Sequence, residues 1–330
     1  MMNEIDFVMP WVDDSDPVWR KKRAEYSGKK YQEGNEDARY RDWDILKYWF
    51  RGVEKFAPWV RYVFFITDDQ KPEWLNVNHP KLKWIKHTDY IPEEYLPAFS
   101  SHVIEWNMHR IEDLSENFVY FNDDVFVIDK TSPEDFFRGG LPCDRPSLEI
   151  LHPTDFFSHI IFNNMALLNR NFLLNRSIRL HKKKWMKHQG VKGRIKLMLY
   201  GRRSFLSQTE AGHIHISFKK SNFHTLWEKE YDSIHNTCKN RFRSKDDVSL
   251  WCVRDWQLLS GEFSPNKPIG RMFSTASMSQ NNELIDYLTK QMGKVICLND
   301  SENEIDFEKH KQMIIEAFEK ILPEKSSFEL

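Results

Sequence analysis

The chain has 330 residues, with 48 lysines and arginines against 49 aspartates and glutamates, a formal net charge of −1. So close a balance excludes a global attraction to nucleic acid and leaves only local patches to supply one. No apolar run approaches the length of a membrane span, and 14% aromatic residues suit a well-filled core, sugar-stacking platforms, or both.

Residues 5–12 read as a first strand, stopped by the polar cluster Asp13-Asp14-Ser15-Asp16-Pro17. Residues 20–41 are highly charged and contain Gly28 and Gly34, which predicts a mobile loop or a short helix. Asp42 or Asp44 can cap a helix running to about Phe56, in which Leu46, Trp49, Phe50 and Val53 recur at helical spacing. Pro58 ends it. Residues 60–67 form a second strand closed by Asp68-Asp69, and Lys81 to His87 a third. This alternation of strand and helix argues for a parallel sheet with crossover helices. The spacing predicts a further helix over 101–114. It puts His102, Glu105, His109 and Glu112 on one face and Ile104, Met108 and Ile111 on another. That polar face reads equally well as functional or as merely solvated.

Residues 118–128 are the most telling segment. Apolar and aromatic residues flank Asn122, Asp123 and Asp124, as in a buried strand. Adjacent carboxylates inside such a run are costly unless something positive compensates them. The usual solution places them at the carboxyl end of a strand, facing a crevice, where a hard divalent cation can join protein to phosphate. A plain strand end with an Asx turn at Asn122 is the competing reading.

From Phe156 to Thr209 there is no Asp or Glu, and Lys and Arg are dense over 179–203 among apolar residues. Such a segment can dock on an anionic membrane surface or a phosphate-rich acceptor, or can simply be a solvated basic helix. No RNP-like or KH-like motif accompanies it, so no nucleic-acid partner is expected. A second dense cluster runs from His213 to Asp247, but its histidine spacing is not that of a standard zinc site. Residues 255–261 read as a helix end with Gly261 past the cap. Residues 304–322 read as an amphipathic helix ended by Pro323, with Ile305, Met313, Ile314, Ala317, Phe318 and Ile321 inward. Cys143, Cys238, Cys252 and Cys297 have no metal-ligand pairing and read as idle thiols of a reducing compartment. The start shows no basic n-region followed by an apolar stretch, so a cytoplasmic protein is expected, peripheral to the inner face of the membrane if the 179–203 segment docks there.

Taken together, several segments resemble the Stealth proteins. Residues 5–19 resemble that family's first conserved region. Arg39-Tyr40-Arg41-Asp42, residues 54–61, Thr67-Asp68-Asp69-Gln70, residues 99–105, His109-Arg110 and residues 120–126 resemble its second. His213 followed by Lys220-Ser221 is similar to the third region. Phe242-Arg243-Ser244 with Asp247, Trp256 and Gly261 is similar to the fourth.

The resemblance implies an α/β enzyme with a Rossmann-like, mostly parallel sheet flanked by helices. One catalytic domain over 1–330 would comprise an α/β nucleotide-sugar core at 1–150, a basic helical insertion at 151–210, and a part at 211–330 that completes the active site and adds C-terminal helices. The implied reaction moves a sugar-1-phosphate from a nucleoside diphosphate sugar to a hydroxyl of an oligosaccharide or lipid-linked glycan, with magnesium or manganese as cofactor. Asp123 and Asp124 would hold the cation. Arg39, Arg41, Arg110 and Arg243 offer planar forks for phosphate, with Asp124, His213 and Arg243 as the catalytic set. His213 matches the family's histidine and would act as base, with His215 two residues on as a rival. Trp11, Asp13, Asp16 and Asp42 would line the nucleotide end of the crevice, and Glu105, His109 and Lys220 would complete the substrate-binding set. Two other classes fit the residues: a metal-dependent glycosyltransferase moving the bare sugar, and a non-catalytic glycan-binding protein.

Overall fold

The computed structural model describes residues 4–27, 43–210, 212–275, 278–300 and 307–330. The first half holds β1 (Ile5–Pro10), α1 (Pro17–Ser27), α2 (Leu46–Phe56), β2 (Val63–Thr67), β3 (Leu82–Lys86), α3 (Ser101–Asn107), β4 (Asn117–Tyr120) and β5 (Val125–Val127). Short elements follow: α4 (Pro133–Phe136), β6 (Phe137–Arg138), β7 (Leu141–Asp144) and β8 (Leu148–Glu149). The basic segment forms helices, α5 (Phe156–Asn171), α6 (Leu174–Leu180), α7 (Lys182–Met186) and α8 (Val191–Tyr200). Next come β9 (Gln208–Thr209), β10 (Ile216–Lys219), α9 (Lys220–Lys229), α10 (Tyr231–Cys238) and α11 (Trp251–Ser260). The chain closes with β11 (Ser264–Pro265), β12 (Gly270–Ser274), α12 (Met278–Thr289), β13 (Val295–Asn299) and α13 (Phe307–Ile321).

The main sheet has the order β10-β4-β1-β2-β3. Strands β4, β1, β2 and β3 run parallel, and β10 joins the edge of β4 antiparallel. Side chains alternate between two cores, as a doubly covered sheet demands. Phe7, Met9, Val63, Phe65 and Val119 pack with α2, α12 and α13; Val8, Phe64, Ile66, Phe118 and Tyr120 pack with α3, α5, α9 and α11. Each fully buried Phe, Leu or Ile contributes about 1.5–3 kcal/mol. The α/β architecture expected from the sequence is thus present.

Local departures have local causes. Asp44 does not cap α2; it takes a positive φ of 55° and pairs with Lys311. Asp42 lies outside the described residues. The helix expected over 101–114 stops at Asn107 and passes into a 3₁₀ turn, Met108–Arg110. The Asn107 side-chain amide donates to the Val103 carbonyl at 2.8 Å, a local bond that competes with continued helix. The apolar run at 118–128 is two strands. β4 ends at Tyr120, the Val125 amide turns back to the Asn122 carbonyl at 3.1 Å, and β5 then pairs with β13 in a separate sheet. Gly261 ends α11 with φ of +79°, and a side chain there would strike the His181 ring. α13 buries Ile314, Ala317, Phe318 and Ile321 as expected, with Met313 half-buried and Ile305 outside the described residues. Among the described residues no helix is long and apolar enough to cross a membrane.

Candidate active site

Parallel strands deliver the residues that follow them to one edge, where a crevice opens. Trp11 follows β1, Asp68 and Asp69 follow β2, and Asn122 to Asp124 follow β4. Because β10 is antiparallel, its first residue, Ile216, pairs with Tyr120 at the end of β4. The loop before β10 therefore brings His213 and His215 to the same edge. Strand β13 pairs Cys297 with Val125 and adds a thiol. Oxygen, nitrogen and sulfur from Asp124, His213 and Cys297 lie within 4.8 Å of one another.

Asp124 is held on two sides. Its carbonyl accepts the Leu298 amide at 2.8 Å, and Oδ2 accepts the Cys297 thiol at 3.4 Å. Oδ1 is buried without a hydrogen-bond partner. Burial pushes the carboxyl up to about 6, opposed by the Cys297 contact. Asp123 beside it is exposed. An orphaned carboxylate oxygen next to a second carboxylate fits a hard divalent cation, which seeks oxygen donors.

The two histidines differ in setting. His213 adopts φ of +40° and stacks on Trp251, centroids 6.4 Å apart. His215 is clamped by Phe136 at 4.8 Å and Phe121 at 5.9 Å, and its Nδ1 is buried without a partner. Desolvation lowers its pKa to about 4, so the ring is neutral. The geometry brings His213, and not His215, to the Asp124 carboxylate.

The β1 wall is rigid. Trp11 stacks on Phe65. Gln70 grips the Asp13 backbone amide at 3.1 Å and its carbonyl at 2.8 Å, and also donates to Asp16 at 3.0 Å. Asp16 accepts the Val18 amide at the start of α1. Burial works against ionisation of Asp16, but bonds from Gln70, Val18 and Trp19 outweigh it and hold the carboxyl below its usual value. Arg243 donates to the Ser101 hydroxyl at the start of α3. Asp247, which follows it closely, anchors His102 at 2.9 Å, Asn240 at 2.8 Å and the Ser244 amide at 2.9 Å.

Other expected site residues lie elsewhere. Glu105 is buried and accepts the Tyr120 hydroxyl at 2.9 Å. His109 is buried between Phe223 and Trp227 and donates to the Trp106 carbonyl; burial lowers its pKa to about 3. Arg110 bonds Asn107 and lies over the Trp227 ring. Lys220 donates to the carbonyls of Ile111, Glu112 and Leu114, next to the pairing of Lys219 with Asn117 at the opening of β4. His109, Arg110 and Lys220 thus lie at the opposite end of that strand from Asp124. The single face drawn along 101–114, functional or solvated, does not run on, because α3 ends at Asn107 before His109. Arg39, Arg41 and Asp42 lie outside the described residues.

A cleft opens beside His213, lined by His215, Trp251, Arg254, Glu210 and Lys267 among others. Arg254 is buried in its wall. It binds Asp144 at 2.7 and 2.9 Å, Asp255 at 3.3 Å and Thr209 at 3.1 Å.

Residues 3–31 match the family model described as Stealth protein CR1, conserved region 1, and residues 39–143 match Stealth protein CR2, conserved region 2. A capsular polysaccharide phosphotransferase WcwK of Streptococcus pneumoniae is 41% identical over 333 residues, covering 99% of this chain and 98% of its own. The chain belongs to the Stealth family. Other relatives include the receptor polysaccharide phosphotransferase WefC of Streptococcus gordonii, 38% identical over 100% of both chains. The exopolysaccharide phosphotransferase cps2G of Lactiplantibacillus plantarum is 37% identical over 99% of this chain and 96% of its own. Among solved structures, the glycosyltransferase GlyE of Streptococcus pneumoniae TIGR4 aligns at a TM-score of 0.40 and 10% identity, over 98% of this chain and 66% of that one.

Sequence reasoning passed over three residues of this sheet edge and cleft. Cys297 read as an idle thiol, and Trp251 and Arg254 were not singled out. No spacing signal links 124, 213 and 297; only the pairing of β13 with β5 and of β10 with β4 joins them.

Proposed function

We propose that this chain transfers a hexose-1-phosphate, for example N-acetylglucosamine-1-phosphate, from a nucleoside diphosphate sugar to a glycan hydroxyl, forming phosphodiester links of a capsular or exopolysaccharide. What carries the reading is the meeting of Asp124 and His213 at the carboxyl edge of the sheet, in a chain matched from end to end by phosphotransferases. The acceptor oxygen bonds to the phosphorus next to the sugar, and His213 takes the hydroxyl proton. The bond from that phosphorus to the bridging oxygen breaks, and a nucleoside monophosphate leaves. Positioning and charge neutralisation dominate such transfers. Asp123 and Asp124 would hold magnesium, or manganese, which when bound offsets charge on the pyrophosphate.

Arg243 faces the phosphate, and Trp11, Asp13 and Asp16 form the wall for the nucleotide. Arg39, Arg41 and Asp42 are assigned to the same wall on the family resemblance. The acceptor glycan occupies the cleft beside His213, where Trp251 offers a ring for stacking.

A lipid-linked acceptor would be met at the inner face of the cell membrane. In α8 the exposed residues Val191, Ile195, Met198 and Leu199 fall at i, i+4, i+7 and i+8, one stripe along the helix. Lys192 and Arg194 flank it, and no acidic residue occurs from 156 to 209. An apolar stripe edged by cations suits an anionic lipid surface. The free cysteines accord with a reducing, cytoplasmic setting.

The deciding experiment supplies magnesium, a panel of nucleotide sugars and an oligosaccharide acceptor, then reads products by phosphorus NMR. A phosphodiester signal with released nucleoside monophosphate is expected. Release of nucleoside diphosphate would establish transfer of the bare sugar instead.

A further inference from the structure

We propose that Asp124, His213 and Cys297 form a zinc site, and that zinc bound there is an inhibitory rival of the catalytic cation. The inference rests on reading Asp124 and His213 as the transferase centre. Zinc takes sulfur at about 2.3 Å and nitrogen or oxygen at about 2.0–2.2 Å. Around one tetrahedral ion those ligand atoms sit roughly 3.3–3.8 Å apart. The three donors lie within 4.8 Å of one another, so small side-chain rotations close the site.

The donor set discriminates between metals. Magnesium prefers six oxygens in octahedral geometry and keeps several waters. A thiolate, an imidazole and a carboxylate favour zinc over magnesium. The sulfur is fixed in place, because Cys297 is fully buried on β13, opposite Val125. A ligand position on the carboxylate is also waiting, since Asp124 Oδ1 is buried without a partner. The thiol proton now directed at Asp124 Oδ2 would be released to solvent as the sulfur binds the ion. Three protein ligands leave a fourth position for water or a phosphate oxygen.

The consequence for catalysis is direct. Zinc would consume the nitrogen lone pair of His213 that the reaction needs for the acceptor proton. It would also tie up a carboxylate needed by the oxygen-seeking cation. Magnesium-supported transfer should therefore fall as zinc is added and return when a chelator removes it.

The test uses the full chain with cobalt(II), a spectroscopic stand-in for zinc. Wild type should give the intense visible bands of a four-coordinate ion and a near-ultraviolet thiolate-to-cobalt band, both abolished by zinc. Cys297→Ser should lose the thiolate band and bind zinc more weakly by about 10- to 100-fold or more, measured with a competing chelator dye. His213→Gln, as an independent variant, should keep the thiolate band and also weaken zinc. Circular dichroism checks that both variants fold. A wild-type cobalt spectrum without the thiolate band, or equal zinc affinity in wild type and Cys297→Ser, overturns the proposal. A thiolate band in a protein that shows no transfer with magnesium would leave the zinc site standing and remove the transferase reading.

Discussion

The phenol of Tyr120 lies 2.9 Å from Oε1 of Glu105 and 2.7 Å from the side chain of Asn122, so a buried acid stands directly behind the turn that carries Asp123 and Asp124. The phenol has one proton. Oε1 of Glu105 and Oδ1 of Asn122 are both acceptors for it, so the two oxygens share that proton. Tyr120→Phe removes both bonds and leaves Glu105, whose other oxygen already lacks a partner, unsatisfied in the core. The expected stability loss is about 1–3 kcal/mol, read from urea denaturation. The rate constant should fall with little change in KM for the donor, because the turn is loosened while the β1 wall is untouched. An unchanged rate would show that the turn holds itself.

Asp124→Ala should abolish turnover while the fold persists, checked by product assay and circular dichroism. Asp124→Asn should make the metal-free protein more stable at pH 7. Burial raises the folded carboxyl to about 6 against roughly 3.9 unfolded. Between those values the folded state binds more protons, so stability falls as pH rises from about 4 to 6, and the penalty remains at higher pH. Removing the charge should recover about 1–3 kcal/mol at pH 7 and little at pH 4. Chemical denaturation in EDTA at both pH values measures the difference, and equal gains at both would contradict the sign.

His213→Ala should reduce the rate about 10²–10⁴-fold. His215→Ala should act mainly on stability, since that ring fills an aromatic clamp. Paired measurements of rate and unfolding midpoint separate the two roles. A large rate loss confined to the His215 variant would reassign the base.

Arg61→Ala tests the far end of the sheet. Asp6 is fully buried in β1, and Arg61 grips its carboxylate through two bonds of 2.8 and 2.5 Å. Removing the guanidinium strands a buried charge at a cost of about 3–5 kcal/mol. The amides of Tyr62 and Ser115 also reach Asp6 and would offset part of this. The denaturation midpoint should fall, while KM for the donor holds in whatever fraction stays folded.

The stripe on α8 predicts behaviour at lipid surfaces. The wild type should sediment with vesicles containing anionic lipid and lose that association as salt rises. Replacing Ile195, Met198 and Leu199 with Ser should weaken it at all salt concentrations. Neutralising Lys182, Lys183 and Lys192 should weaken it mainly at low salt. Lys184 is a poor choice for this series, because it donates to the Gly261 carbonyl and lies over Phe263. Association that survives both sets of changes would mark the segment as a solubilising face only.

The parts of the molecule that were legible in the sequence are those with a local physical cause. β1, β2 and β3 announce themselves by apolar runs closed with polar clusters. The Asp123-Asp124 pair announces its own location, because two carboxylates cannot remain inside a core. The amphipathic α13 reads directly from its period. The failures are equally physical. The helical period of 101–114 says nothing about the Asn107 amide, which competes with the backbone, so the face that would carry His109 and Glu112 does not continue. Lys220 sits in a resembling motif, and the antiparallel register of β10 carries it to the end of β4 opposite Asp124, which no periodicity foretells. Cys297 gave no warning because its partnership with Asp124 depends on the pairing of two strands far apart in the chain.

That reversed edge strand also sets an order of events during synthesis. The carboxylates leave the ribosome well before the histidine, and the thiol later still. With His213 as the proposed base, a half-made chain would hold the β1 wall residues and the carboxylates but not the group that takes the acceptor proton. On the proposed mechanism, competence would arrive when β10 pairs with β4, after most of the length has been made.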